Sequence, residues 1–224
     1  MRELYHQSLQ ALQEGLVELS ELVTVAIENA TASFTTGDVS LADQVIGGDA
    51  VIDQKTKALD ESAIAILARE QPVARDLRVV VATLRISASL ERMGDLADHI
   101  AQLARSRFPE RAVPKGLKQT FIRMGELDVQ MARKLTQLLR TENLSLADEI
   151  RDDDQAIDEL HVSVFEKVLG ANWKGEAAGA IDATLASRYH ERFADHAGSV
   201  ARKVVYLATG QWSEDAAQDS EPPY

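Results

Sequence analysis

Apolar residues recur every three or four positions along almost the whole chain. Tyr5, Leu9, Leu12, Leu16, Leu19, Val23, Ala26 and Ala30 form the first such stripe. That is the period of an amphipathic helix with one face on a core. It predicts a first helix over residues 3–35, closed at Thr36-Gly37-Asp38 with glycine in the usual stop position. A second helix is expected from Ser40 to Glu70, and a third from Val73 to Phe108, with Pro72 as the break between them. Ile86, Leu90, Met93, Ala97 and Ile100 make the third helix's stripe. Gly47-Gly48 interrupts the second helix. Each interior glycine costs about 1 kcal/mol, so a soft or bent segment is expected there.

Pro109 and Pro114 punctuate the midpoint. A fourth helix then carries Leu117, Phe121, Met124, Leu127, Met131, Leu135 and Leu138, and breaks at Thr141-Glu142-Asn143. The fifth is expected over Ser145–Leu169, and the sixth from Gly175 to Ala208, closed by Thr209-Gly210. No strand alternation of any length interrupts this order. The expectation is an all-α protein of six long helices forming two similar three-helix bundles, residues 1–110 and 111–212. The tail 213–224 has four acids, no base and two prolines, and is expected to be disordered.

The repeat is also written in the polar residues. Glu91-Arg92-Met93-Gly94-Asp95-Leu96-Ala97-Asp98-His99 returns one hundred residues later as Glu191-Arg192-Phe193-Ala194-Asp195-His196-Ala197. Leu41-Ala42-Asp43, with Asp49, Ile52 and Asp53 after it, returns as Leu146-Ala147-Asp148, with Asp154, Ile157 and Asp158. Four acid pairs spaced i,i+4 result: Asp49/Asp53, Glu91/Asp95, Asp154/Asp158 and Glu191/Asp195. On a helix that spacing places both carboxylates on one face, a turn apart. The second and third helices of each copy are joined by a short break and should run antiparallel. Matching the pairs across that hairpin centres it on Pro72 in the first copy and between Trp173 and Lys174 in the second, which is the turn each time. Four carboxylates of each copy should therefore share one height.

Composition changes this picture only in part. The 224 residues are 45% hydrophobic, which is enough for a packed core, with net charge −12. Such a balance, with no dense basic run, argues against a nucleic-acid partner. No Cys is present, so disulfides and thiolate sites are excluded. No apolar stretch approaches the roughly 20 residues of a membrane span, nor does the N-terminus read as a signal peptide. A cytoplasmic protein is expected.

Four converging carboxylates repel one another unless a cation or protons compensate them. Two readings follow: a metal site in each copy, formed by Asp49, Asp53, Glu91 and Asp95 and by Asp154, Asp158, Glu191 and Asp195, or a solvated acidic face. All-oxygen donors favour Fe, Mn or Mg, with Ca also suited, over Zn. The faces lie off the apolar stripes, which places the acids at the surface or edge of the bundle. Asp60 and Asp98 lack an acid at the repeat-equivalent position and rank low as ligands. His99 and His196 follow an acid by one residue and point elsewhere. Glu3-x-x-His6 is half of a di-iron signature without its partner, and reads as surface. Asp76 and Glu176 suit helix N-termini. Arg75, Arg78, Arg85 and Arg92 are expected in ordinary ion pairs.

Ala74-Arg75-Asp76-Leu77-Arg78, Leu90-Glu91-Arg92-Met93-Gly94-Asp95 and Glu191-Arg192-Phe193-Ala194-Asp195-His196-Ala197 resemble the PhoU family of phosphate-transport regulators, over residues 1 to about 210. The family's motif, an acid followed four residues on by Asp, falls on the same four pairs. The second copy departs from it with Phe193-Ala194 where Ile-Gly is usual, and with Gly198. The resemblance implies two three-helix bundles and a non-enzymatic negative regulator of phosphate uptake and phosphate-starvation signalling. Such an adaptor stands between the Pst transporter ATPase subunit and a PhoR-type sensor histidine kinase. It also implies metal, including multinuclear iron, on the motif faces, and a homodimer is expected. The alternatives by class are a carboxylate-bridged metalloenzyme and a structural helical bundle without metal.

Overall fold

In a computed structural model, residues 2–211 are described. The expected acidic tail, 213–224, lies outside them. Six helices account for nearly all the described residues: α1 (Arg2–Thr36), α2 (Val39–Glu70), α3 (Ala74–Ser106), α4 (Lys118–Thr141), α5 (Ser145–Leu169) and α6 (Ala177–Thr209). Among the described residues there is no strand.

The apolar stripe decides how each helix lies. In α1 Leu12, Leu16, Leu19, Val23, Ile27, Ala30 and Phe34 are all buried, an unbroken seam at three- and four-residue steps. The helix stops at Gly37, whose φ of +81° is a left-handed conformation that closes a helix without a Cβ penalty. Asp38 then caps α2, its Oδ1 accepting from the backbone N–H of Ser40 at 2.9 Å and of Leu41 at 3.2 Å. α2 runs unbroken through Gly47 and Gly48. A side chain at either position would meet nothing within 4 Å. The helical hydrogen bonds there offset the cost of the two glycines; nothing in the packing explains the choice of glycine.

Within the first copy α1, α2 and α3 pack on one another; in the second, α4, α5 and α6 do so. Two further interfaces join the copies, α1 on α4 and α3 on α6. Both are antiparallel. Along α1–α4, Phe34 meets Phe121 edge to face at 5.2 Å, and Ser20 shares a buried hydroxyl contact of 2.8 Å with Thr136. Along α3–α6, the rings of His99 and Tyr189 lie 5.1 Å apart and Arg107 pairs with Asp182 at 2.5 Å. The buried apolar residues of all six helices form one continuous core. α2 and α5, which carry one acid motif each, touch only their own copy. They flank a central group of α1, α3, α4 and α6 and leave the acid faces at the periphery.

Candidate metal centre and its repeat

The first copy brings its acids together as the hairpin arithmetic requires. Asp49 and Asp53 from α2 and Asp95 from α3 each offer one carboxylate oxygen, and the three oxygens lie within 4.8 Å of one another. Oxygens bound at about 2.1–2.5 Å to one cation can be no more than about 5 Å apart. The spacing therefore fits a single divalent ion. Gly94 makes the approach of α2 to α3 possible: a Cβ there would sit 3.0 Å from one Ile52 methyl and 3.1 Å from the other. Ile52 lies between Asp49 and Asp53, so this close helix contact is at the height of the acids.

The remaining groups adjust the charge. Burial, then the fields of Asp53, Asp98, Asp95 and Glu91, push the Asp49 carboxyl up to about 6. Glu91 is raised by burial first and by Asp95 next, with Arg92 opposing. Arg92 donates to Asp95 at 2.8 Å and lies 3.7 Å from Glu91. Its guanidinium occupies the outer side of the cluster and partly neutralises it. Glu91 acts on the triad through its field and is not one of the three converging oxygens.

Asp98, which ranks low on sequence pattern, matters here. It is buried, it accepts from Gln102 at 2.5 Å, and its Oδ1 has no partner among the described residues. Burial holds its carboxyl above the usual range, and its charge acts on Asp49. The signal in the sequence was its place three residues after Asp95, on the same helix face. Asp60 accepts a hydrogen bond from Ser87 at 2.8 Å and reaches the cluster only through its field on Glu91.

The second copy keeps the spacing and changes the contents. Among the described residues, no three of Asp154, Asp158, Glu191 and Asp195 bring oxygens within the same distance. Asp154 is raised to about 7 by burial, then by Asp195 and Asp158, with Arg202 opposing. Glu191 is also raised to about 7, by burial and then by Asp195. It accepts from Arg188 at 2.5 Å, while its Oε2 is buried without a partner. Asp158 is raised by burial, with His161 and Arg188 opposing. His161 Nδ1 meets the Ser187 hydroxyl at 3.0 Å. Two small residues at this height differ between the copies. Ala194 carries the methyl that Gly94 omits. Gly198 stands where the first copy has Asp98, and a Cβ there would lie 3.6 Å from Asp154 Oδ2.

The two histidines that follow the acids differ in exposure. His99 is exposed and stacks near Tyr189. His196 is only partly exposed, and burial with Arg192, Lys203 and Arg92 nearby pulls it down to about 4, so its imidazole is neutral at neutral pH. Asp76 begins α3 as expected and also accepts the Tyr5 hydroxyl at 2.8 Å.

Fold and site together define an all-helical tandem repeat with a carboxylate-rich face on each copy and no apolar helix able to cross a membrane among the described residues. The PhoU domain matches this sequence twice, at residues 16–104 and 121–204. The chain belongs to the PhoU family. The phosphate-specific transport system accessory protein PhoU homolog 2 of Mycobacterium tuberculosis is 40% identical over 210 residues, covering 94% of this chain and 99% of its own. The PhoU homolog 1 of Mycobacterium leprae is 39% identical over 215 residues, covering 96% and 97%. Among solved structures, PhoU from Pseudomonas aeruginosa superposes with a TM-score of 0.86 at 26% identity, covering 92% of this chain and all of that one.

Proposed function

We propose that this chain is a negative regulator of phosphate uptake and phosphate-starvation signalling, acting without a reaction of its own. It works as an adaptor between the ATPase subunit of a Pst-type phosphate transporter and a sensor histidine kinase. The observation that supports this reading is the PhoU-domain match in both halves, with relatives aligned over nearly their full length. In this reading the first motif face holds a divalent cation on Asp49, Asp53 and Asp95, with Glu91 and Asp98 supplying negative field. The second face takes its ion on Asp154, Asp158, Glu191 and Asp195 only after giving up protons. Hard oxygen donors suit Mg²⁺, Mn²⁺ or iron. The bound ion would remove the mutual repulsion of the acids and fix the outer helices α2 and α5 for a partner to read.

The test is a strain lacking this chain's gene that carries a phosphate-starvation reporter. Reporter activity should be high in abundant phosphate and fall when the wild-type chain is restored. Failure of the wild type to lower it sinks the regulatory role. Full repression by Asp49→Asn with Asp95→Asn, in a protein shown to bind no metal, sinks the part assigned to the ion.

A further inference from the structure

The antiparallel crossing of α3 and α6 leaves a cleft of about 340 Å³ beside the last turns of α6. Its apolar lining is Leu77, Val81, Ala82 and Tyr206. Its charged lining is Arg78, Arg85 and Lys203, with no carboxylate. That is unusual for a chain with 36 acids and 24 bases. Sequence pattern led to the expectation that Arg78 and Arg85 sit in ordinary ion pairs; neither forms one among the described residues. Among the described residues, Lys203 donates only to the hydroxyl and carbonyl of Ser199. The Arg78 Nε is buried without an acceptor. An unpaired buried donor costs free energy that an anionic ligand would recover.

The repeat supplies a control for this patch. One hundred residues away in each direction, the equivalents of Arg78, Arg85 and Lys203 are Ala178, Leu185 and Leu103. The same helix crossing is thus made at its other end without these cations, so packing does not require them. Burial, then the neighbouring Arg202 and Arg85, pull the Lys203 amine down to about 8.

Two guanidinium forks and an amine suit a phosphoryl group, which presents several oxygens and about two negative charges. The cleft is within the roughly 300–1,000 Å³ typical of small-molecule sites and has far more apolar wall than inorganic phosphate would use. We propose that it binds an organic phosphate of nucleotide type. The phosphoryl oxygens lie on Arg85, Lys203 and Arg78. The aromatic body rests on Leu77, Val81 and Tyr206. This site is separate from the acid clusters and does not depend on metal.

The experiment is calorimetric titration of the full chain, with EDTA present throughout so that phosphate cannot bind through a metal. The probes are AMP, ATP, adenosine and inorganic phosphate. AMP or ATP should bind once per chain. Adenosine and inorganic phosphate should each bind at least about tenfold more weakly, since each keeps half of the contacts. Arg85→Gln with Lys203→Met keeps side-chain volume and should weaken AMP about tenfold or more, with the melting temperature showing that the fold survives. Lys174→Ala, in the α5–α6 loop, should leave AMP binding unchanged. No saturable binding of AMP or ATP at millimolar concentration overturns the proposal, as does binding unaffected by the Arg85/Lys203 change. Inorganic phosphate bound as tightly as AMP overturns the organic ligand.

Discussion

The two acid faces carry one spacing of carboxylates and differ in two small residues. In the first, Gly94 lets α2 close on α3, and three oxygens converge to within 4.8 Å. In the second, Ala194 stands in the place of Gly94 and Gly198 in the place of Asp98, with Asp154 Oδ2 3.6 Å from where a Cβ on Gly198 would lie. The first face has three converging oxygens; on the second, burial and neighbouring acids push the Asp154 and Glu191 carboxyls up to about 7. The acid motif is thus the same in both copies, while the small residues beside it at the helix contact differ. The departures from the family pattern in the second copy include those residues.

The largest effect expected is on metal binding. Asp49→Asn with Asp95→Asn should lower first-face affinity by more than the roughly hundredfold that loss of a supporting residue costs. The matching change, Asp154→Asn with Asp195→Asn, should cost less at neutral pH. Equal losses measured by titration with Mn²⁺ would remove the distinction between the faces.

Gly94→Ala comes next. The added methyl meets the Ile52 side chain at about 3 Å, so Ile52 must give by a few tenths of an ångström, and overpacking of this kind costs about 1–3 kcal/mol. Thermal denaturation should show the loss, and Mn²⁺ affinity at the first face should fall with it. Unchanged affinity would mean that the glycine is not what brings the acids together.

A smaller effect concerns protons. Asp154 and Glu191 have folded values near 7, above their ordinary 3.8 and 4.5. The folded state thus holds protons that the unfolded chain releases, and the stability they contribute is full below about 4 and lost as pH rises through about 7. Metal-free protein should melt at higher temperature at pH 5 than at pH 8. Asp154→Asn should flatten that slope, as should Glu191→Gln. The corresponding first-face change, Asp49→Asn, should flatten it less and at lower pH, since Asp49 titrates near 6. A melting temperature independent of pH between 5 and 8 would contradict this account.

The smallest effect is at Arg92, an exposed residue paired with Asp95 and Glu91. Arg92→Gln should leave the melting temperature nearly unchanged, because exposed ion pairs contribute little. It should raise first-face Mn²⁺ affinity a few-fold, because a competing cation is gone. Reduced affinity would show instead that the guanidinium orients Asp95.

The helices were legible in the sequence because their signals are local. Leu12, Leu16, Leu19 and Val23 announced a buried seam, and Gly37 and Pro72 stand where α1 and α2 stop. The meeting of Asp49 and Asp53 with Asp95 was legible as well, since a short hairpin fixes relative height. What lay beyond local pattern depends on neighbours from elsewhere in the chain. The role of Gly94 requires Ile52 against it. The burial of Asp98 requires the packing around α3. The unpaired state of Arg78 and Arg85 follows from how α6 crosses α3, a contact between residues more than a hundred positions apart that no periodicity encodes.

The continuous core has a consequence for how such a chain could arise and be divided. Each copy spends one side of α1 or α4 and one side of α3 or α6 on the other copy. A single copy released from the tandem would expose those sides to water and could cover them again only by finding another molecule. Joining two copies in one chain makes that encounter intramolecular, at a fixed high effective concentration whatever the abundance of the protein. It also frees the copies from being identical. Within this one chain, Ala194 and Gly198 stand in one half where Gly94 and Asp98 stand in the other.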